Sequence, residues 1–517
     1  MRVFWATLLI PLVLGDTVPI PLSAGNAPTL PGNFISLSIE QDRWLEWSGN
    51  TSRNSFFFNT LDNIVAITGT NPTIRIGADS EDHTNFNPNL QFVQQAFPPP
   101  TTTVPYPEAT SIVAGPGFYQ AAKFLPSGTG VTWGVNFGGK NMTTVFLETQ
   151  AIVNAFASSA IQDAGITLDF LELGNEADLY NSNGLRASSY NVAQYTTEWI
   201  SFATNLTKTA NLAGSDTKLW GGAFAGSSHS TTGFSPQGIF ANNILSSTPG
   251  GFITTISQHH YSGSFCSGNE GLLQDLMTKA TIRSNLSSFS SDITATKAKG
   301  LDYVFGETNS YSCHGAPGVS NTAGAALWTL DYALFASQIG ISKVFFHDGV
   351  GYKYNLIQPV VLTRSTLDGS TLSTPQQPHV QPQYYAAIVA AEAIGDSGHT
   401  QALEISINDT RISGYAFYES GSLKRAVLIN SLAFVAGQNR TSTHLDLSFT
   451  GSGTKPTSFS IKRLAIGQAS DTSGLTWGGQ TYETGDGRVS GTATSETGTV
   501  SAGIDIPATQ AVLISFT

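Results

Sequence analysis

The chain has 517 residues, a formal net charge of −12 and 12% charged residues, about half the charged share of an ordinary soluble domain. Its 24 basic residues are scattered, with Lys424-Arg425 and Lys462-Arg463 the densest spots. No stripe exists to follow a phosphate or sulfate backbone, which argues against nucleic acid and heavily sulfated glycans as partners. With 40% hydrophobic and 10% aromatic residues there is ample material for a core, and a surface of Ser, Thr, Asn and Gly suits a folded extracellular protein.

In chain order, residues 1–15 read as a signal peptide: Arg2 supplies the charge, Val3 to Leu14 the apolar stretch, and Val13-Leu14-Gly15 a cleavage region. The stretch is too short for a bilayer, which needs about 20 apolar residues, and no second membrane candidate follows. Secretion is the expectation. Sequons at Asn50, Asn141, Asn205, Asn285, Asn408 and Asn439 agree with it. Residues 16–30, alternating over Asp16–Leu22, are expected to join a C-terminal β-sandwich.

Residues 31–380 alternate short apolar runs with longer amphipathic ones. The runs Phe34–Ile39, Thr73–Ile76, Val131–Val135, Phe170–Leu173, Leu219–Ala223, Phe252–His260, Tyr303–Phe305 and Lys343–Phe346 predict the strands of a (β/α)8 barrel. Helices are expected over Val145–Ala160, Val192–Leu212, Leu272–Ala298 and Ala323–Gln338. The Pro/Thr-rich segment Phe97–Ala109 reads as a loop between the second and third units. Residues 381–517 begin with a helix near Tyr384–Ile394 and continue as short strands between Gly/Ser/Thr turns, the pattern of a β-sandwich.

The chemistry sits at two strand ends. Leu171-Glu172-Leu173-Gly174-Asn175-Glu176 closes the fourth strand, and Val304-Phe305-Gly306-Glu307 the seventh. Residues just past barrel strands point into the active site, so Glu176 and Glu307 can face each other across a substrate. Retaining glycoside hydrolysis needs two carboxyls about 5–5.5 Å apart, one as acid/base and one as nucleophile. Glu176 fits the first role and Glu307 the second. Arg75 and Tyr261 are candidate donors to the nucleophile, and Asn175 to a sugar 2-hydroxyl. Cys266 and Cys313 form either one disulfide or two buried thiols.

These motifs resemble the large clan of retaining barrel glycosidases, and more narrowly glycoside hydrolase family 79, the β-glucuronidase and heparanase-like group. The resemblance rests on Ser36–Glu40, Arg75–Ser80, Leu173–Glu176, Gln258-His259-His260-Tyr261, Phe305–Ser310 and Pro317–Ser320. It implies a (β/α)8 barrel with a β-sandwich and a substrate bearing β-linked glucuronic acid or its 4-O-methyl ether. The uronate carboxylate would be read by a Gly/Tyr loop after strand eight, here Gly351, Tyr352 and Tyr354, with exposed Gly N–H groups as donors and Lys353 adding charge. Asp348 and Val350 interrupt the Gly-rich pattern of that loop. Glu40 and Asp79 would contact sugar hydroxyls or form rim salt bridges. A Cys266–Cys313 bridge would tie the loops after strands six and seven.

His259-His260 does not predict a metal, because adjacent strand residues face opposite ways. Gly395-Asp396-Ser397-Gly398 reads as a turn. The expectation is a monomeric hydrolase acting on a glycan or glucuronide with no cofactor, no metal, no nucleic acid and no membrane. The alternatives are a neutral-sugar β-glycosidase or an endo-β-glucuronidase on the same barrel, or an inactive carbohydrate-binding protein.

Overall fold

The computed structural model describes residues 16–267 and 271–517; the expected signal peptide, residues 1–15, lies outside the described residues. Eight parallel strands close a barrel: β1 (Ile35–Glu40), β2 (Ile74–Gly77), β3 (Gly130–Val135), β4 (Thr167–Leu173), β5 (Lys218–Phe224), β6 (Ile253–Ser264), β7 (Asp302–Ser312) and β8 (Lys343–Asp348). All eight coincide with the apolar runs of the sequence. Such runs lack strict alternation because both strand faces are covered, one by helices and one by the barrel interior. Phe170, Trp220, Val304 and Phe345, from the starts of β4, β5, β7 and β8, meet inside the barrel, with Trp220 edge-on to Phe345 at 5.0 Å. They plug its lower end and leave the C-terminal ends to polar groups.

The outer helices begin where the uncharged polar composition supplies caps. Asn54 opens α1 (Ser55–Thr68), Asn141 opens α2 (Met142–Phe156), and Asn191 with Gln194 forms a capping box on α3 (Val192–Thr209). Thr322 caps α7 (Ala323–Gln338). The stretch expected as one helix over Leu272–Ala298 is three: α4 (Leu273–Met277), α5 (Lys279–Ser287) and α6 (Ser290–Lys297). Thr278 is extended between the first two. At the second break Ser288 and Ser290 hydroxyls donate to the Asn285 and Ser287 carbonyls, a local bond that competes with the helix ladder.

The segment Phe97–Ala109 is a loop on the barrel's C-terminal face. α8 (Pro382–Ile394) packs against α7 and α1, so the helix that the sequence placed at the head of the second domain completes the barrel wall instead. Beyond it, β9 (Gln401–Glu404), β10 (Ile412–Glu419), β11 (Ser422–Asn430), β12 (Ser442–Thr450), β13 (Ser458–Ala465), β14 (Ile504–Pro507) and β15 (Gln510–Phe516) form two sheets. The N-terminal strand Asp16–Pro21 pairs in parallel with β12. The inner faces of the sandwich share one apolar cluster, whereas Tyr415, Phe417, Val427 and Leu513 join the barrel's cluster. Among the described residues no helix is long and apolar enough to cross a membrane.

Candidate active site

Two backbone devices aim the acidic side chains. After β4 the chain leaves its strand at Gly174 (φ 82°), where a side chain would strike Phe137 and Tyr180. Glu176 is itself left-handed (φ 48°), fixed by its N–H donating to the Ala223 carbonyl at 2.7 Å. On β7 the pairing register slips beside Phe305–Thr308 on both flanks, a bulge that re-aims side chains. Gly306 permits it by leaving room for Ser257 and Trp220.

Glu307 is almost enclosed, its side chain 7% exposed. Arg75 Nη1 donates to its Oε2 at 2.8 Å and the Tyr261 hydroxyl to its Oε1 at 2.7 Å. His347, at the end of β8, bridges Glu307 Oε2 at 3.9 Å and Glu40 Oε2 at 3.3 Å. Burial by itself would raise the Glu307 carboxyl; the charges of His347 and Arg75 and the Tyr261 bond outweigh it and hold Glu307 well below the carboxylate range. His347 is raised to about 9, because Glu307 and Glu40 overcome its own burial. Arg75 also donates Nε to Glu172 Oε1 at 2.7 Å, Nη1 to Ser38 at 3.0 Å and Nη2 to Asn175 Oδ1 at 2.9 Å. One guanidinium fork thus sets strands β1, β2, β4 and β7 against one another.

Glu176 is more open, at 21%. His259 Nδ1 lies 3.0 Å from its Oε1. Burial, then the charges of Glu307, Asp178 and Asp79, push the Glu176 carboxyl well above the usual range. His259 is driven down to about 3 by desolvation. It is therefore neutral and offers Glu176 a hydrogen bond and no full charge, with Glu307 Oε2 4.0 Å from the same nitrogen. One donor atom each from Glu176, His259 and Glu307 lies within 4.8 Å of the others. Among the described residues this is the one His/Cys/Asp/Glu group close enough to share a cation, and the Glu307 oxygens already accept from Arg75 and Tyr261. His260 faces away, its Nδ1 2.8 Å from the Tyr332 hydroxyl.

This geometry belongs to known company. Residues 414–513 match the glycosyl hydrolase family 79 C-terminal beta domain. A β-glucuronidase of Neurospora crassa is 27% identical over 88% of this chain and 86% of its own. One of Aspergillus niger is 28% identical over 87% and 82%. The chain is a glycoside hydrolase with a family 79 C-terminal domain. The fold of this hydrolase is similar along 97% of the chain, with a TM-score of 0.78 and 24% identity, to all of a 4-O-α-L-rhamnosyl-β-D-glucuronidase from Fusarium oxysporum. A family 51 α-L-arabinofuranosidase from Bifidobacterium longum shares the fold at a TM-score of 0.60 and 14% identity.

Other expected site residues of the hydrolase fall differently. Glu40 receives the Ser80 N–H at 2.9 Å and the Ser80 hydroxyl, besides facing His347, so its oxygens are engaged by protein. Asp79 stands at the mouth, 56% exposed. The enclosing wall and then Glu40, Glu108, Asp82 and Glu307 push its pKa up to about 8. Solvent reaches Asp79, so the acids around it matter more than that wall.

The loop after β8 corrects the expectation of free Gly N–H donors. Gly349 N–H donates to Asn355 Oδ1 at 3.0 Å and Gly351 N–H to Gln358 Oε1 at 3.1 Å. Buried amides find partners within their own loop. Gly351 serves packing instead: at φ 79° its missing side chain makes room for the Tyr106 ring. Lys353 turns under the Phe97–Ala109 loop, Nζ 3.4 Å from the Thr103 carbonyl and over the Phe265 ring. Tyr352 and Tyr354 stay at the pocket, Tyr354 beside Tyr261 at 6.0 Å between rings.

Glu108 and His314 carry a role that the sequence reading gave to neither. His314 Nε2 lies 2.5 Å from Glu108 Oε1, and the His314 ring stacks on Tyr352 at 3.6 Å. Burial would raise Glu108; His314 and the Tyr352 hydroxyl hold it down at about 2. The Ala109 N–H donates to Asp42 Oδ2 at 2.9 Å, so the loop crosses the ends of β1 and β8 to reach β7. The Cys266–Cys313 disulfide, Cα atoms 5.8 Å apart, adjoins His314 and joins the loops after β6 and β7. Asp82 accepts the N–H groups of Phe137, Gly138 and Asn175 and the Tyr180 hydroxyl, latching the β3 and β4 loops. Glu108, His314 and Asp82 lie outside any motif, and His347 heads the strand-eight loop without a role in the sequence reading. The one signal for His347 was its place at the end of the eighth apolar run.

Proposed function

We propose that this hydrolase is secreted and releases β-linked glucuronic acid from glycans or glucuronides by double displacement. Glu176 protonates the leaving oxygen while Glu307 attacks the anomeric carbon. Water then takes the sugar from Glu307, with Glu176 as base. The observation that carries this reading is the approach of the two carboxylates within 4.8 Å, nearer to the spacing of about 5–5.5 Å of retaining enzymes than to the 6.5–9.5 Å of inverting ones. Their surroundings divide the roles: Glu307 is kept ionised by Arg75, His347 and Tyr261, and Glu176 is kept protonated.

The relatives named β-glucuronidase support the sugar assignment, and Tyr352 and Tyr354, beside the cationic His347, are the groups available to a uronate. The Phe97–Ala109 loop, held by Glu108, walls the β7–β8–β1 side of the mouth, while Glu176 is the more exposed of the two carboxylates. That supports action on a terminal sugar whose aglycone leaves past Glu176. Secretion is supported by the leader, by the disulfide and by sequons with exposed asparagines at Asn50, Asn141, Asn408 and Asn439.

The test is hydrolysis of an aryl β-glucuronide beside the matching β-glucoside, by wild type and Glu307→Ala. Turnover of the glucuronide alone, abolished in the variant, is the expected result. Turnover of the glucoside alone would overturn the sugar assignment and leave the carboxylates standing.

A further inference from the structure

His259 is fully enclosed and presents Nδ1 to both carboxylates, 3.0 Å from Glu176 Oε1 and 4.0 Å from Glu307 Oε2. Its Nε2 is buried and meets no partner among the described residues. This decides the tautomer. A proton on Nε2 would be an unmet buried donor, and it would leave the Nδ1 lone pair facing the Glu176 carboxylate that exists between the two steps of the reaction. A proton on Nδ1 leaves only a buried ring lone pair on Nε2 and puts a donor 3.0 Å from Glu176 Oε1 and 4.0 Å from Glu307 Oε2.

We propose that neutral His259 is a positioning residue for the acid/base: its Nδ1–H donates to Oε1 of Glu176 and so confines the transferable proton to Oε2. A carboxylic acid can carry its proton on either oxygen. With Oε1 accepting from His259, Oε2 becomes the acid. In the first step the Oε2 proton passes to the glycosidic oxygen, the C1–O bond pair leaves with that oxygen, and a Glu307 oxygen bonds C1. In the second, water bonds C1, its proton goes to Glu176, and the ester pair returns to Glu307. His259 gains and loses no proton in either step; its N–H steadies the Glu176 carboxylate that exists between them. The charged groups around this pair are Glu307 on β7, Asp178 after β4, Asp79 and Arg75 from the β2 unit, and His347 on β8. None of them bonds Glu176 Oε1 among the described residues. The proposal rests on the two-carboxylate reading above but on no choice of sugar.

The experiment compares two leaving groups on the glycoside that the wild type cleaves: phenyl, which needs a proton, and 2,4-dinitrophenyl, which does not. His259→Asn keeps an N–H near the Nδ1 position, whereas His259→Gln carries it to the Nε2 position. His259→Ala and His259→Gln are expected to lose about 10- to 100-fold in kcat/KM on the phenyl glycoside and less than about 3-fold on the dinitrophenyl one. Their alkaline limb should move upward, because the carboxylate form of Glu176 has lost its donor. His259→Asn should recover most of the loss. Equal losses on both leaving groups, an unmoved alkaline limb, or rescue by Gln as good as by Asn would overturn the proposal. Should Ala fail to fold, the Asn and Gln pair decides. Glu307→Ala is the control: turnover that survives it would sink the two-carboxylate reading itself, whatever the His259 variants do.

Discussion

Glu307 and Glu176 reach within 4.8 Å of each other, yet the two sides of their pocket are built in opposite ways. Arg75 on β2, His347 on β8 and Tyr261 on β6 give Glu307 a guanidinium, a cationic imidazole and a phenol. The β4–β6 side gives Glu176 one neutral imidazole. Mutual repulsion falls equally on both, so the direction each carboxyl takes is set by where the donors are. Burial magnifies the difference, because water is not there to even it out.

That contrast breaks most completely at Glu307→Ala, where turnover of an aryl glycoside should fall by on the order of 10^4-fold or more and the unfolding midpoint should also drop, because Arg75 and His347 lose their buried carboxylate partner. Glu176→Gln should lose about 10²- to 10⁴-fold on a phenyl glycoside and far less on a dinitrophenyl one, which needs no acid. Equal losses on the two would place Glu176 outside the proton transfer. Arg75→Met removes the guanidinium that Glu172 touches and should destabilise the fold by about 3–5 kcal/mol, measured by chemical denaturation.

A finer test uses pH. The fold favours ionised Glu307, whose pKa is depressed; that stability is present above the ordinary carboxylate value and is lost as pH falls through the depressed one. It favours protonated Glu176, whose pKa is raised; that contribution is present below the ordinary value and is lost as pH rises through the raised one. Glu176→Gln should therefore flatten the loss of stability as pH rises above the ordinary carboxylate value, with denaturant midpoints as the readout; an unchanged slope would contradict the raised pKa. The smallest effect expected is at Tyr261→Phe. One of the two hydrogen bonds that Glu307 accepts from Arg75 and Tyr261 is lost there, and kcat/KM should fall by about 10-fold, the worth of one charge-assisted hydrogen bond. A loss as large as that of Glu307→Ala would mean that the phenol does more than hold the carboxylate.

Local signals were legible where a residue's neighbours in sequence are also its neighbours in space. The eight apolar runs became β1–β8, and Gly174 and Gly306 marked the turns that aim Glu176 and Glu307. The Arg75 and Tyr261 donors were legible because a buried carboxylate at that depth needs them. The loop after β8 misled: its glycines suggested free N–H groups, but the side-chain oxygens of Asn355 and Gln358, a few residues on, accept those hydrogen bonds.

The sequence by itself determined a barrel with a sandwich, two acidic strand ends and a pair of cysteines. Apolar periodicity and strand-end glycines act over a few residues and are written there. Only the tertiary structure decided that His347 would stand between Glu40 and Glu307, that Glu108 would cross to His314, and that His259 would meet both carboxylates with one nitrogen. Those contacts join residues as far as 307 positions apart in sequence. Their charges act through a buried pocket that exists once the barrel has closed.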